Sequence, residues 1–151
     1  MTVAFFGHKE YRESDIEKEV ILNFLEAIDD GNITFLLGGY GNFDRFALSI
    51  AKEYKSKHKA ATTVFVTPYI TESYQKNRLD YVKDDYDSIL YPPIEDKPLK
   101  FAIVYRNKYI VEQSDLIIAY VKHNYGGAYS ALCYAKKINK SIINIAEKTD
   151  K

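Results

Sequence analysis

"FLLGGYGNFDRF", residues 35–46, passes from an apolar run through three glycines into a helical pattern. Phe43, Phe46, Ala47, Ile50, Ala51 and Tyr54 recur at helical spacing beyond the turn and mark a face to be buried. A strand that ends in a glycine-rich turn and opens a helix is a unit of a parallel α/β sheet. The first turn of such a helix also carries N–H groups without partners, which suit an anion.

Working outward, further β-rich apolar runs lie at Val3–Phe6, Ile33–Leu37, Thr62–Val66, Ser88–Tyr91, Leu116–Val121 and 141–146. Helical patterns alternate with them. One opens at Ser14, where Ser14-Asp15-Ile16-Glu17 forms a capping box and Ile16, Val20, Phe24 and Ala27 share a face, with Gly31 as the stop. Another runs from about Leu99 to Ser114, and a third follows Gly126-Gly127, with lysines near its C-terminal dipole end. The alternation predicts one α/β domain over 1–151, a mostly parallel sheet covered by helices on both faces. Residues 67–99 break the pattern: they hold all four prolines, many tyrosines and the acidic residues Asp80, Asp84, Asp85 and Asp87. This segment reads as an insertion or lid with a solvated acidic loop.

Composition limits the partners. Twenty-one basic residues balance twenty-one acidic ones, so no broad field attracts nucleic acid or anionic lipid. A single cysteine forms no internal disulfide, and no apolar run reaches the roughly 18 residues of a membrane span, so a cytoplasmic protein is expected. Cys133 falls on the expected buried face of its helix, and no ligand spacing for a metal is present.

Three strand exits carry unusual chemistry: "FFGHKEYR" from Phe5, "LLGGYGNFDR" from Leu36 and "YVKHNYGGAYS" from Tyr120. In a parallel sheet they share one edge, where ligands of such folds bind. The dinucleotide fingerprint fails, because Asp44 stands where its third glycine belongs, and the Gly-Lys-Ser/Thr ending of a P-loop is absent. Neither a nicotinamide cofactor nor nucleotide hydrolysis by those routes follows. The candidate binding set is Gly7, His8, Gly38, Gly39, Tyr40, Gly41, Asn42, Asp44, Arg45, Arg106, His123, Tyr125, Gly126, Gly127 and Ser130. Within it the glycines allow close approach, and the two helix starts offer amides. Arg45 and Arg106 suit phosphate, Tyr40 and Tyr125 (or Tyr129) suit a base, and Ser130 adds a hydroxyl. Each arginine suits a salt-bridged surface equally, and each histidine a structural turn. Asp44 complements the helix dipole or meets ribose hydroxyls.

"VAFFGHKE", "LLGGYGNFDRFA", "FAIVYRNKYIVEQSDLIIAYV" and "YGGAYSALCYAKKINKSIINIA" together resemble the SLOG superfamily, in particular its small stand-alone bacterial and phage branch. That superfamily includes the Lonely Guy phosphoribohydrolases and DprA, and the resemblance implies a Rossmann-like domain that binds nucleotides or nucleotide-derived signals. The phosphoribohydrolases carry Pro-Gly-Gly-x-Gly-Thr-x-x-Glu at the second glycine turn. Only the paired glycines of that motif stand here, in Tyr125-Gly126-Gly127-Ala128-Tyr129-Ser130-Ala131, so no catalytic residue carries over.

The resemblance therefore implies a non-catalytic binder of an ADP-ribose or cyclic ADP-ribose type signal, needing no cofactor. It would act as a sensor through a partner or as a phage-type sponge. The alternative is a nucleotide N-glycosidase or phosphoribohydrolase using Asp44, Glu112 or Asp115. DNA binding in the manner of DprA ranks third, given the charge balance. Exposed tyrosines on 67–99 and on the helix from Leu99 suggest a homodimer or higher homo-oligomer.

Overall fold

A computed structural model describes residues 1–28 and 31–149. Six strands form one parallel sheet in the order β4-β3-β2-β1-β5-β6. They are β1 (Thr2–Gly7), β2 (Thr34–Leu37), β3 (Thr62–Val66), β4 (Ser88–Leu90), β5 (Leu116–Tyr120) and β6 (Ser141–Asn144). The long helices are α1 (Asp15–Ile28) and α2 (Gly41–Lys57), then α5 (Ala102–Gln113) and α6 (Gly127–Lys137). The short ones are α3 (Glu72–Tyr74), α4 (Asp80–Val82) and α7 (Ile145–Thr149). This is the Rossmann-like α/β arrangement that the alternating pattern predicts.

Alternation along the strands builds two cores. Val3, Phe5, Phe35 and Leu37 point into one, with Ile21, Leu25, Phe43, Phe46 and Ile50 of α1 and α2. Ala4, Phe6, Leu36, Ile117 and Ala119 point the other way, onto Ile110 and Val111 of α5 and Ala131, Leu132 and Ala135 of α6. Each large side chain removed from water contributes about 1.5–3 kcal/mol before entropy is charged against it. The winding runs outward from β1 through β2 and β3 to β4, then returns to place β5 on the other side of β1. Gly7 pairs with Tyr120 at that reversal, so the exits of β1 and β5 flank one crevice.

Three expectations need correction. The buried stripe of α1 is Glu17, Ile21 and Leu25, while Ile16 is 73% exposed, and Val20 and Ala27 also face outward. The stripe rotates because Tyr11, itself buried, donates its hydroxyl to Glu17 Oε1 at 2.5 Å and so lets a carboxylate lie on the core side. Ser14 still caps the helix, accepting from the Glu17 amide at 3.3 Å. Cys133 is exposed rather than packed, because Ala131, Leu132 and Ala135 form the inner face of α6. Two members of the acidic run are also engaged with the body: Asp87 accepts from the Thr63 amide at 2.7 Å and pairs with Lys55, while Asp85 pairs with Lys52 at 3.5 Å. The Lys55 ammonium holds the Asp87 carboxyl below the usual carboxylate range.

Residues 67–99 contain α3, a π-helical turn over Gln75–Leu79, α4, a 3-10 turn over Lys83–Asp85, and β4. The segment thus extends the sheet by one edge strand and drapes helical turns beside the β2 exit.

Candidate functional site

A cavity of about 520 Å³ opens at the crevice between the β1 and β5 exits. Of the candidate residues, Gly7, His8, Gly38, Tyr40, Asp44, Arg106, His123, Tyr125, Gly126 and Gly127 line it. Gly39, Gly41, Asn42, Arg45 and Ser130 do not, and the last four are exposed. Lys9, Glu10, Ile103 and Asn107 also line it and were not singled out from the sequence.

The turn at 38–41 holds the protein's own groups. Gly39 has φ +74°, and a Cβ there would lie 2.1 Å from the Phe65 ring. A Cβ on Gly41 would meet Lys9 Cα at 2.7 Å. The Tyr40 amide donates to Asp44 Oδ2 at 2.7 Å, and the Asn42 amide donates to the Lys9 carbonyl at 2.8 Å. The expectation that both helix starts offer open amides is therefore corrected at α2, where a carboxylate four residues onward takes the place an external anion would have. Desolvation pushes the Asp44 pKa up to about 6, against the smaller opposing pull of its bond to Tyr40 and of Arg106.

Arg106, 3% exposed, reaches back from α5 to close the same turn. Its Nη1 donates to the Gly38 carbonyl at 3.0 Å and to the Val66 carbonyl at 2.7 Å, and its Nε donates to Asn107 Oδ1 at 2.9 Å. The guanidinium thus ties the β2 and β3 exits to α5, and no side chain at Gly38 stands in the way. Tyr40 lies between Arg106 and Arg78, whose guanidinium carbons sit 5.5 and 5.3 Å from its ring centre. Arg78 donates to the Gly39 carbonyl, and the Tyr40 and Tyr74 hydroxyls are hydrogen bonded. Burial, then that bond to Tyr74, raises the Tyr40 phenol above its ordinary range. The partners Arg78 and Tyr74 come from the 67–99 segment, far away in sequence, so no local spacing signals them.

The opposite wall is different. Gly126, at φ +93°, caps α6 and has nothing within 4 Å of where a Cβ would be. Asn107 Nδ2 stands 4.0 Å from the corresponding point on Gly127, linking the Arg106 cluster to the α6 start. His123 and Tyr125 stack at 5.0 Å with planes 11° apart, and His8 lies 4.3 Å from His123. Tyr125 is 65% exposed, so one face of its ring is open.

Glu10 also lines the cavity, whereas the two other carboxylates weighed for cleavage lie elsewhere. Glu112 accepts from the Tyr134 hydroxyl, and Asp115 accepts from the Thr2 amide at 2.8 Å, where β1 begins. Both are outside the cavity lining, which leaves Asp44 as the one of the three that reaches it. Among the described residues no group of three or more His, Cys, Asp or Glu side chains could hold a metal ion.

The fold and crevice together define a doubly wound parallel-sheet protein with a cavity at its topological switch point. Among solved structures, the chain is similar to DNA processing protein A from Helicobacter pylori, a structure concerned with single-stranded DNA binding. There the TM-score is 0.60 at 20% identity, covering 94% of this chain and 63% of that one. It also resembles DprA from Streptococcus pneumoniae, with a TM-score of 0.62 at 18% identity over 93% of this chain and 48% of that one. The molybdenum cofactor carrier protein of Chlamydomonas reinhardtii matches with a TM-score of 0.54 at 16% identity over 97% of this chain and 80% of that one. The chain therefore spans less than two thirds of the DprA chains it matches. These likenesses establish a fold shared with DNA processing protein A and the molybdenum cofactor carrier protein. No protein-family model matches the chain, and no curated protein matches it in sequence. No helix among the described residues is long and apolar enough to cross a membrane.

Proposed function

We propose that this protein binds a nucleotide-derived small molecule of the ADP-ribose or cyclic ADP-ribose type and holds it unchanged, as a sensor or a sponge, in the cytoplasm of a bacterial or phage-infected cell. The observation that carries this reading is the open Gly126–Gly127 start of α6 on a 520 Å³ cavity, beside an aromatic stack with one free face. Phosphate oxygens meet the α6 amides, a base lies on Tyr125, and Asp44 accepts from ribose hydroxyls. Arg106 supplies positive potential, while its bonds to Gly38 and Val66 keep it in place. Of the three carboxylates weighed for cleavage, Glu112 and Asp115 lie off the cavity and Asp44 is held by the Tyr40 amide, which favours holding over cleaving by any of them. The cofactor carrier protein shows that a fold of this kind handles a small molecule, and this supports the same ligand class here.

The same reading makes 1–151 one domain and gives the 67–99 segment the role of a lid, with Tyr74 and Arg78 at its inner edge. It also makes the chain a homo-oligomer. Leu99, Phe101, Ile103 and Val104 are 40–64% exposed at the start of α5, and Ile103 belongs to the cavity wall as well. A second copy placed there covers the apolar patch and adjoins the site.

Calorimetric titration with ADP-ribose, ADP, ribose 5-phosphate and oligodeoxythymidylate tests the ligand class. Saturable heat with ADP-ribose at one site per chain, weakened by Tyr125→Ala, is expected. Binding of the oligonucleotide alone would move the protein to the DNA-binding reading. Sedimentation of the wild type against Phe101→Asp tests the assembly, and a monomer in both would remove it.

A further inference from the structure

His8 is the first residue after β1, and its ring faces the exit of β5. The Lys122 amide donates to His8 Nε2 at 2.9 Å, and the His123 amide donates to the same nitrogen at 3.3 Å. Both donors are backbone N–H groups, so Nε2 must offer its lone pair, and the proton of the neutral ring then lies on Nδ1. An imidazolium carries N–H on both nitrogens and would turn a donor toward two donors. It would also bring a positive charge within 4.3 Å of the His123 ring.

We propose that His8 is a positioning residue for the ligand cavity: its neutral ring latches residues 122–127, which carry Tyr125, Gly126 and Gly127, and its protonation unlatches them. The proposal rests on the nucleotide reading for its ligand, but the latch itself does not. The groups that face His8 are His123 of the 122–127 loop, Tyr120 of β5 (edge-on at 6.4 Å) and Lys122 through its amide, with Lys9, Glu10 and Tyr125 lining the same cavity. Burial and then His123 hold the imidazole below its ordinary range, and Glu10 opposes them more weakly. The neutral, latched form therefore prevails at neutral pH.

The sign of the ligand effect separates this device from plain electrostatics. Acid adds positive charge at His8 and removes negative charge at Asp44, so for an anion whose own charge is constant over the interval electrostatics alone strengthens binding as pH falls. A latch that opens on protonation does the reverse.

Two measurements test it. In the ligand-free protein, NMR follows the His8 ring and the exchange protection of the Lys122 and His123 amides from about pH 7.5 to about pH 4.5, an interval carried below the usual imidazole range because burial lowers His8. Protection is expected to fall in step with His8 protonation, and to stay level in His8→Gln, whose amide oxygen accepts without titrating. The proposal is overturned if His8 stays neutral throughout, if it titrates without loss of protection, or if His8→Gln loses protection equally. Calorimetry with ADP-ribose, whose doubly esterified pyrophosphate keeps its charge over the same interval, should show affinity falling by about fivefold or more in the wild type, the scale of a modest coupling between sites, and much less in His8→Gln. Affinity that rises in acid in both proteins would contradict the latch. If ADP-ribose fails to bind while protection follows His8, the latch stands and the nucleotide reading falls.

Discussion

Asp44 Oδ2 accepts the Tyr40 amide hydrogen at 2.7 Å, so the anion at the start of α2 is part of the protein. The glycine turn that looks built for a phosphate is filled from within, and the open glycine start is at α6.

The Asp44 carboxyl sits at about pKa 6 against an ordinary 3.8, because burial disfavours its charge. The folded protein thus binds the proton more tightly than the unfolded chain, and stability falls as pH rises from the ordinary value through about 6, then levels off. Asp44→Asn keeps an acceptor for Tyr40 and is expected to flatten that slope in thermal melts. Asp44→Ala strands the Tyr40 amide and should cost about 1–2 kcal/mol at neutral pH. Equal slopes in the wild type and the Asn variant would contradict this.

Arg106→Ala leaves the Gly38 and Val66 carbonyls without their donor. A loss of about 3 kcal/mol in urea unfolding is expected, the usual order for removing one member of a buried charged cluster. Arg106→Lys should recover only part of it, since an ammonium cannot reproduce the planar fork. A loss as small as that of a surface substitution would show that the clamp bears little stability.

Two of the positive-φ glycines, Gly39 and Gly126, should separate cleanly. Gly126→Ala meets open space and pays only for backbone conformation, about 1–3 kcal/mol at φ +93°, ψ 174°. Gly39→Ala pays that and also drives a methyl into the Phe65 ring, so its melting temperature should fall well below that of Gly126→Ala. Equal melting temperatures would refute the packing role given to Gly39.

Tyr125→Ala removes an exposed ring and should change stability by less than about 0.5 kcal/mol. ADP-ribose affinity should nonetheless drop by about 1–3 kcal/mol, the worth of one base stack. Calorimetry that finds unchanged affinity would take the base off this wall.

Local pattern carries most of the sheet. Thr62–Val66 matches its strand residue for residue, and Val3–Phe6 and Leu116–Val121 match within a residue at either end, because short apolar β-rich runs between helical patterns have few other uses. The α1 face is harder, since burying Glu17 depends on Tyr11, a partner that helical periodicity does not include. Asp44 was visible where a third glycine belongs, yet its bond to Tyr40 needed the turn's geometry. Arg106 lies 68 residues from the Gly38 carbonyl it binds, and Arg78 lies 39 from Gly39. Spacing along the chain holds no record of such pairs. His8, by contrast, was legible as a residue of the ligand edge, while its role as an acceptor appears only once β5 is set beside β1.

The most direct test of the cavity is to incubate the purified protein with ADP-ribose and cyclic ADP-ribose, separate free from retained material, and identify both by chromatography with mass detection before and after heat denaturation. Unchanged ligand, retained at no more than one per chain and released only on denaturation, is the expected result. Free base or ribose phosphate accumulating over many turnovers, or no retention of either compound, would contradict it.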